Sequence, residues 1–247
     1  MRVWSMKEPW YVKSFQEDYL KIYAHRTDEA AEQEMKQIVQ LLDMPKGSRV
    51  LDLCCGNGRH SRQLAKLDYQ VTGIDLSHVL LDEARKANFA DKITYLQSDV
   101  RELSFEEEFD YVLNLFTSFG YFEQVEENQK VFQAIYRALK GGGVFLIDFL
   151  NPGYIRKNLV PESYRESGEL KIREKRRIEK NQVIKDIHIE QEGAERQYQE
   201  KVNLFEYEEM VQMLQASGLT TERVYGAFDL QPYDEADSPR MILIGKK

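Results

Sequence analysis

Three short segments hold the residues whose types and spacing could do chemistry. The first, Val50-Leu51-Asp52-Leu53-Cys54-Cys55-Gly56-Asn57-Gly58-Arg59-His60, is an apolar run that ends in a Gly-x-Gly turn. Glycines at such a turn let the backbone approach a ligand where any side chain would block it. The second, Ile74-Asp75-Leu76-Ser77, places a carboxylate 17 residues beyond Gly58, suited to accept hydrogen bonds from a ribose diol. The third, Gln97-Ser98-Asp99-Val100, closes another strand-like run with a second acid. A lone Gly-x-Gly says little, but a glycine turn and two acids at three successive strand ends point to a nucleoside-bearing ligand. A dinucleotide fingerprint wants Gly or Ala three positions after Gly58, where Ser61 stands, and this turns the reading away from NAD.

The elements that must position these segments alternate between strand and helix from Arg49 to Phe149. Val50–Cys54 reads as a first strand and Gly58–Leu67 as the helix after it; Gln70–Ile74 is a second strand, followed by a helix over Ser77–Ala90 capped by Ser77. Lys92–Gln97 and Phe109–Asn114 are strands three and four. A helix over Val125–Leu139 carries apolar residues at Val131, Phe132, Ile135 and Leu139 and stops at Gly141-Gly142-Gly143; Gly143–Phe149 then reads as a fifth, wholly apolar strand. Strands buried on both faces and joined by helices predict a doubly wound, mostly parallel α/β sheet with its ligand crevice beyond the strand C-termini.

Two segments leave that rhythm. Residues 1–45 contain Trp4, Trp10 and the run Tyr11, Phe15, Tyr19 and Tyr23, spaced for one side of a helix, and predict an N-terminal helical cover. Within 165–204, the runs Leu170–Ile178, Val183–Gln191 and Arg196–Leu204 predict an inserted three-stranded antiparallel meander. Residues 205–247 return to the sheet through a helix over Phe205–Ser217 and strands at Thr221–Tyr225 and Arg240–Ile244, making seven strands in all. With no repeat or Pro/Gly linker, 1–247 reads as one domain whose ligand-binding core is 46–150.

Composition narrows the function classes. Of 247 residues, 34 are Lys or Arg and 42 are Asp or Glu, a formal charge of -8, which disfavours a general grip on nucleic-acid phosphates. The one basic cluster, Lys171-Ile172-Arg173-Glu174-Lys175-Arg176-Arg177, is interleaved with acid and reads as a solvated strand face. No run approaches the ~20 apolar residues of a membrane span, and Met1–Pro9 lacks the apolar core of a signal peptide. A cytoplasmic protein without a membrane partner is expected. Cys54 and Cys55 are the only cysteines, and as neighbours they offer neither a disulfide framework nor a metal site.

On the three quoted segments the chain resembles the class I S-adenosylmethionine-dependent methyltransferases, from about residue 15 to the C-terminus. The resemblance implies a Rossmann-like methyltransferase fold with S-adenosylmethionine as cofactor. It implies that the loop Asp52-x-Cys54-x-Gly56-x-Gly58 holds the cofactor's methionine part, Asp75 its ribose, and Asp99 with the Val100 backbone its adenine. Cys54 departs from the family's usual glycine, and its backbone is expected to avoid conformations open to glycine alone. Both cysteines otherwise read as small buried residues closing a strand. Tyr23-Ala24-His25-Arg26 matches the place where similar enzymes pair an arginine with the methionine carboxylate. The implied cofactor contacts are Tyr23, Arg26, Asp52, Cys54, Gly56, Asn57, Gly58, Asp75, Leu76, Asp99, Val100 and Leu115.

The segment Asn114-Leu115-Phe116-Thr117-Ser118-Phe119-Gly120-Tyr121-Phe122 should line the acceptor pocket. It lacks the prolines typical of nucleobase-amine methyltransferases, and no cysteine stands near it for attack on a pyrimidine ring. The resemblance therefore narrows to the small-molecule N- and O-methyltransferases, with a small-molecule acceptor as partner and the oligomeric state left open. A cofactor-binding sensor or partner subunit without turnover, and an RNA-directed enzyme, are the competing readings. If the acceptor must lose a proton, the candidates are Tyr11, Tyr121 and His188, with Arg240 as an orienter.

Overall fold

The computed structural model describes residues 8–247, so Trp4 and the first seven residues lie outside it. The chain opens with α1 (Trp10–Ser14), α2 (Glu17–Ile22) and α3 (Asp28–Leu41). It then runs through β1 (Arg49–Leu53), α4 (Arg59–Lys66), β2 (Gln70–Asp75), α5 (His78–Lys86), β3 (Ile93–Gln97), β4 (Phe109–Asn114), α6 (Val125–Ala138) and β5 (Leu139–Leu150). After α7 (Pro152–Asn158) come β6 (Glu162–Ser167), β7 (Leu170–Glu179), β8 (Gln182–Gln191) and β9 (Ala194–Asn203), then α8 (Tyr207–Ala216), β10 (Thr220–Tyr225) and β11 (Arg240–Lys246).

Seven strands form one sheet in the order β10-β11-β5-β4-β1-β2-β3, parallel except for β11, which runs antiparallel to both of its neighbours. The chain winds outward from β1 to β3 and then crosses to β4 on the other side of β1. Adjacent strand ends at β1 and β4 therefore diverge, and a ligand crevice opens there. Fully buried apolar side chains cover both faces: Leu51, Leu53, Val112 and Phe132 on one, Val50, Leu64, Leu113 and Leu146 on the other. Ser77 caps α5 as the sequence predicts, its hydroxyl accepting from Leu80 N at 3.2 Å.

Four elements differ from expectation. The insertion is a four-stranded antiparallel sheet, β6-β7-β8-β9, rather than a three-stranded meander. The added strand, Glu-Ser-Tyr-Arg-Glu-Ser, is an exposed edge with no apolar face to announce it. The aromatic run is not one helix, because Gln16 is extended and separates α1 from α2. Helix α5 ends at Lys86, before Phe89 turns left-handed at φ 66°, and the glycines 141–143 lie inside β5 rather than ahead of it. The fifth strand is not wholly apolar either: Asp148 is buried within it.

The N-terminal cover is held from both sides. Ile22 and Tyr23 pack against Leu170, Ile172, Ile187 and Ile189 of the antiparallel sheet. Around that apolar patch, Asp18 accepts from Arg196 Nε and Tyr198 Oη at 2.5 Å each, Ser14 donates to the Gln199 carbonyl at 3.0 Å, and Tyr23 Oη donates to Glu200 at 2.7 Å. On the other side, Ser77 Oγ donates to the Phe15 carbonyl at 2.5 Å. The cover thus ties the antiparallel sheet to the ends of the parallel strands. No helix among the described residues is long and apolar enough to cross a membrane.

Candidate active site

A cleft of about 460 Å³ lies where β1, β2, β3 and β4 end, roofed by α1, α2 and Tyr121. Its size falls in the ~300–1,000 Å³ range of small-molecule sites. The glycine loop forms its floor. Gly58 caps α4 in the left-handed conformation at φ 74°, and at Gly56, φ 57°, a Cβ would meet Leu80 Cδ1 at an ordinary 3.9 Å, so it is the backbone conformation that favours glycine there. Cys54 sits at φ 58°, in the small left-handed basin that other residues can enter at a cost of roughly 1–2 kcal/mol, and so stays out of the conformations open to glycine alone.

Asp75 organises the loop from below. Its Oδ2 accepts from Gly56 N and its Oδ1 from Ser77 N, both at 2.8 Å, which leaves each oxygen a further lone pair. Burial pushes its pKa up to about 6 against the pull of those backbone hydrogen bonds. Asp52 is buried and accepts from Ser61 Oγ at 2.5 Å. Burial raises the Cys54 and Cys55 thiols well above their usual range, with Asp75 and Asp52 adding to it, so neither is a thiolate nucleophile.

Asp99 also lines the cleft but is already engaged. Its Oδ1 accepts from Arg101 N and Nε at 2.9 Å and its Oδ2 from Nη2 at 2.5 Å, so one Oδ2 lone pair remains. The Arg101 guanidinium also holds Glu127 and lies 4.2 Å from the Phe122 ring centre. Leu76, 38% exposed, and the Val100 side chain give the same end of the cleft apolar surface.

At the opposite end stand Arg26 and Arg59. Arg26 lies 4.3 Å over the Tyr23 ring and donates to Tyr19 Oη at 3.1 Å; Arg59 donates to the Thr27 carbonyl at 3.2 Å. Neither has a carboxylate within ion-pair distance among the described residues. Both line the cleft, as do Tyr11, Tyr23, Asn57, Leu115 and Tyr121. Every residue of the implied cofactor set except the buried Gly58 therefore borders one space. Sequence reasoning passed over Arg59, although its place one residue after Gly58 was the available signal.

The candidate proton acceptors fare differently. Burial raises the hydroxyl pKa of Tyr11, and that of Tyr121 far more, and Tyr121 Oη donates to the Thr117 carbonyl. His188 is exposed on β8, between the buried Ile187 and Ile189, and does not border the cleft. It drops out, because alternation along a strand sends it to the face away from the cover. Arg240 borders a second, adjoining cavity, where it pairs with Asp148 and lies 3.5 Å from Glu34. Burial, only partly offset by Arg240, pushes the Asp148 pKa up to about 7.

A family model described as a methyltransferase domain matches residues 50–143, the span from β1 into β5. An uncharacterized methyltransferase of Synechocystis sp. is 33% identical over 156 residues, covering 61% of this chain and 68% of that protein. The chain belongs to the S-adenosylmethionine-dependent methyltransferase family. An S-adenosylmethionine-dependent methyltransferase from Clostridium acetobutylicum shares the fold, with a TM-score of 0.78 at 18% identity over 92% of this chain and 95% of that one. A dTDP-3-amino-3,4,6-trideoxy-glucopyranose N,N-dimethyltransferase of Streptomyces venezuelae is 31% identical over 104 residues, 42% of this methyltransferase and 43% of that protein. The chain spans less than half the length of several curated relatives it matches, 41% to 45% for three of them.

Proposed function

We propose that this methyltransferase moves a methyl group from S-adenosylmethionine to a nitrogen or oxygen atom of a small molecule in the cytoplasm, as a single domain spanning 1–247. The observation that carries the reading is the polarity of the cleft from end to end. An apolar lip at Leu76 and Val100 suits adenine, and the Asp75 carboxylate with open lone pairs suits a ribose diol. Arg26, a guanidinium lacking a carboxylate within ion-pair distance among the described residues, suits the methionine carboxylate. The donor set and the space match that cofactor piece by piece, and the glycine loop brings backbone close where its middle would lie.

The bound cofactor supplies an electrophilic methyl whose bonding electrons stay on sulfur as the acceptor's lone pair forms the new bond. What the chain's own residues contribute is alignment and the exclusion of water, which can carry effective molarities of ~10⁵ M or more. Tyr11, Phe15, Tyr19, Tyr121 and Phe122 wall the cleft with ring faces and edges: Phe15 lies 5.1 Å from Tyr19 and 5.7 Å from Tyr121, and Tyr11 5.6 Å from Phe122. Such rings suit the sulfonium as well as an apolar acceptor. The relative acting on an amino sugar nucleotide agrees with an acceptor of this size class. The negative total charge and the interleaved acids of β7 favour a small molecule over nucleic acid.

Calorimetry with S-adenosylmethionine and with NAD tests the cofactor, and an acceptor screen that detects the demethylated cofactor tests turnover. Binding of NAD in preference to S-adenosylmethionine would overturn the reading. Within it, Arg26→Ala is expected to weaken S-adenosylmethionine binding by about 1–3 kcal/mol, the value of hydrogen bonds to a charged group. Unchanged affinity would return Arg26 to a purely packing role on Tyr23.

A further inference from the structure

The second cavity, of about 240 Å³, shares Arg26, Arg59, His60, Leu115 and Phe116 with the cleft, so the two spaces adjoin. We propose that it is the recognition subsite for the methyl acceptor and that it takes a carboxylate, in a small acid bearing an N–H or O–H group nearby. The proposal rests on the methyl-transfer reading above and deepens it to a substrate class.

Three guanidiniums border this cavity, and among the described residues only Arg240 has a carboxylate within ion-pair distance, Asp148 and Glu34 at 3.5 Å, while Glu34 and Asp28 act on Arg59 from farther off. Arg240 is also fixed in place, with Phe116 and Phe228 ring centres 4.6 and 5.3 Å away. Arg26 and Arg59 meet only neutral oxygens among the described residues. Both are half-exposed, so each is placed to meet an anion entering the cavity without first breaking an ion pair. S-adenosylmethionine does not remove the excess, because its single carboxylate comes with an ammonium and a sulfonium. If Arg26 takes that carboxylate, Arg59 still borders the shared space, and with only Nη1 engaged, by the Thr27 carbonyl, it keeps donors for a second one.

The other features of the lining select within anions. Glu34 and Asp148 border the same cavity and partly offset its three guanidiniums, so the positive charge left over suits a monoanion such as a carboxylate. Burial works against the charge on Glu34, but its 2.7 Å hydrogen bond with His60 Nε2 and the charge of Arg240 hold its pKa below the usual range. Ala30, Ile38, Leu115 and Phe116 leave room for only a short apolar body. Asp148 Oδ1 is buried with no hydrogen-bond partner among the described residues, which marks an acceptor position for the ligand's own N–H or O–H.

The test is calorimetry on protein saturated with S-adenosylhomocysteine. Glycine, β-alanine, 4-aminobutyrate and glycolate are titrated against their amides and against phosphoethanolamine, on wild type, Arg59→Gln and Arg59→Lys. At least one acid is expected to bind roughly tenfold more tightly than its amide. Arg59→Gln should abolish that preference and leave S-adenosylhomocysteine affinity within about threefold, with Arg59→Lys keeping part of it. Amides binding as well as acids, no acid binding, or phosphoethanolamine binding best would overturn the proposal. So would an Arg59→Gln protein that loses S-adenosylhomocysteine about tenfold with its acid preference intact, since Arg59 would then serve the cofactor. Failure of S-adenosylhomocysteine to bind wild type would strike the methyl-transfer reading itself.

Discussion

Replacing Asp75 with alanine is expected to weaken S-adenosylmethionine binding by about 1–3 kcal/mol, roughly five- to 150-fold in Kd, through lost hydrogen bonds from the ribose to a charged acceptor. The variant also strips Gly56 N and Ser77 N of their partner, which loosens the loop that carries the glycine turn. Asp75→Asn keeps the shape and one acceptor oxygen but turns its NH2 group toward one of the two backbone donors, so its loss sets an upper bound on the effect of the charge. Unchanged affinity in both would remove the ribose from the end of β2.

The same carboxyl makes a signed prediction about pH. Its folded-state pKa of about 6 lies above the ~3.9 of an unfolded aspartate, so between those values the folded chain binds more protons. The ligand-free protein therefore gains stability as pH falls from about 7 towards 4, and Asp148, at about 7, acts in the same direction. Cofactor affinity moves the other way, because the neutral carboxyl is the poorer partner for a ribose diol. Thermal midpoints without ligand should thus rise over part of the range in which S-adenosylmethionine Kd worsens, and Asp75→Asn should flatten the second trend. Asp18, Asp99 and Asp110 have pKa values below the usual range because their arginine, tyrosine or lysine partners outweigh burial, and they oppose the stability trend only at the acid end.

How much of this was legible in the sequence depends on how local each cause is. Central strands such as β1 and β4 announced themselves because parallel strands covered on both faces are near-continuous apolar runs, while β3, at the sheet edge, showed only alternate apolar residues; Asp75 and Asp99 follow from where the strands stop. Cys54 shows the limit of that local reasoning: residue type bars only the conformations open to glycine alone, and it is the turn from β1 into the glycine loop that puts Cys54 in the left-handed basin. Strand β6 stayed hidden because hydrogen bonding to β7, not burial, makes it a strand. The second cavity was less visible still. Glu34, His60, Asp148 and Arg240 lie on α3, α4, β5 and β11, and only packing α3 beside the ends of β5 and β11 brings them together. Asp148 inside an apolar strand was the one clue, since a lone carboxylate there has to find a cation.

The largest single effect is expected at Gly58. A methyl group there would strike Tyr95 Oη and stand 2.9 Å from Tyr95 Cζ, and the φ of 74° would strain any L side chain. Overpacking of this kind costs about 1–3 kcal/mol and the left-handed backbone about 1–2 kcal/mol more, so Gly58→Ala should lose roughly 2–5 kcal/mol of stability to denaturant. Cofactor binding should fall with it, because Gly58 N is the donor that closes the loop onto the Cys55 carbonyl at 3.0 Å. Tyr95 provides the control. Its hydroxyl is buried without a hydrogen-bond partner among the described residues, so Tyr95→Phe alone should be neutral or slightly stabilising. In the double variant the collision with oxygen is gone and the backbone strain remains, so the two substitutions should couple favourably by about 0.5–3 kcal/mol without restoring wild-type stability. Strict additivity of the two would mean that the loop moves away from β3 instead of pressing on Tyr95, and a Gly58→Ala protein within about 0.5 kcal/mol of wild type would show that the close packing beneath the cofactor loop is not what shapes it.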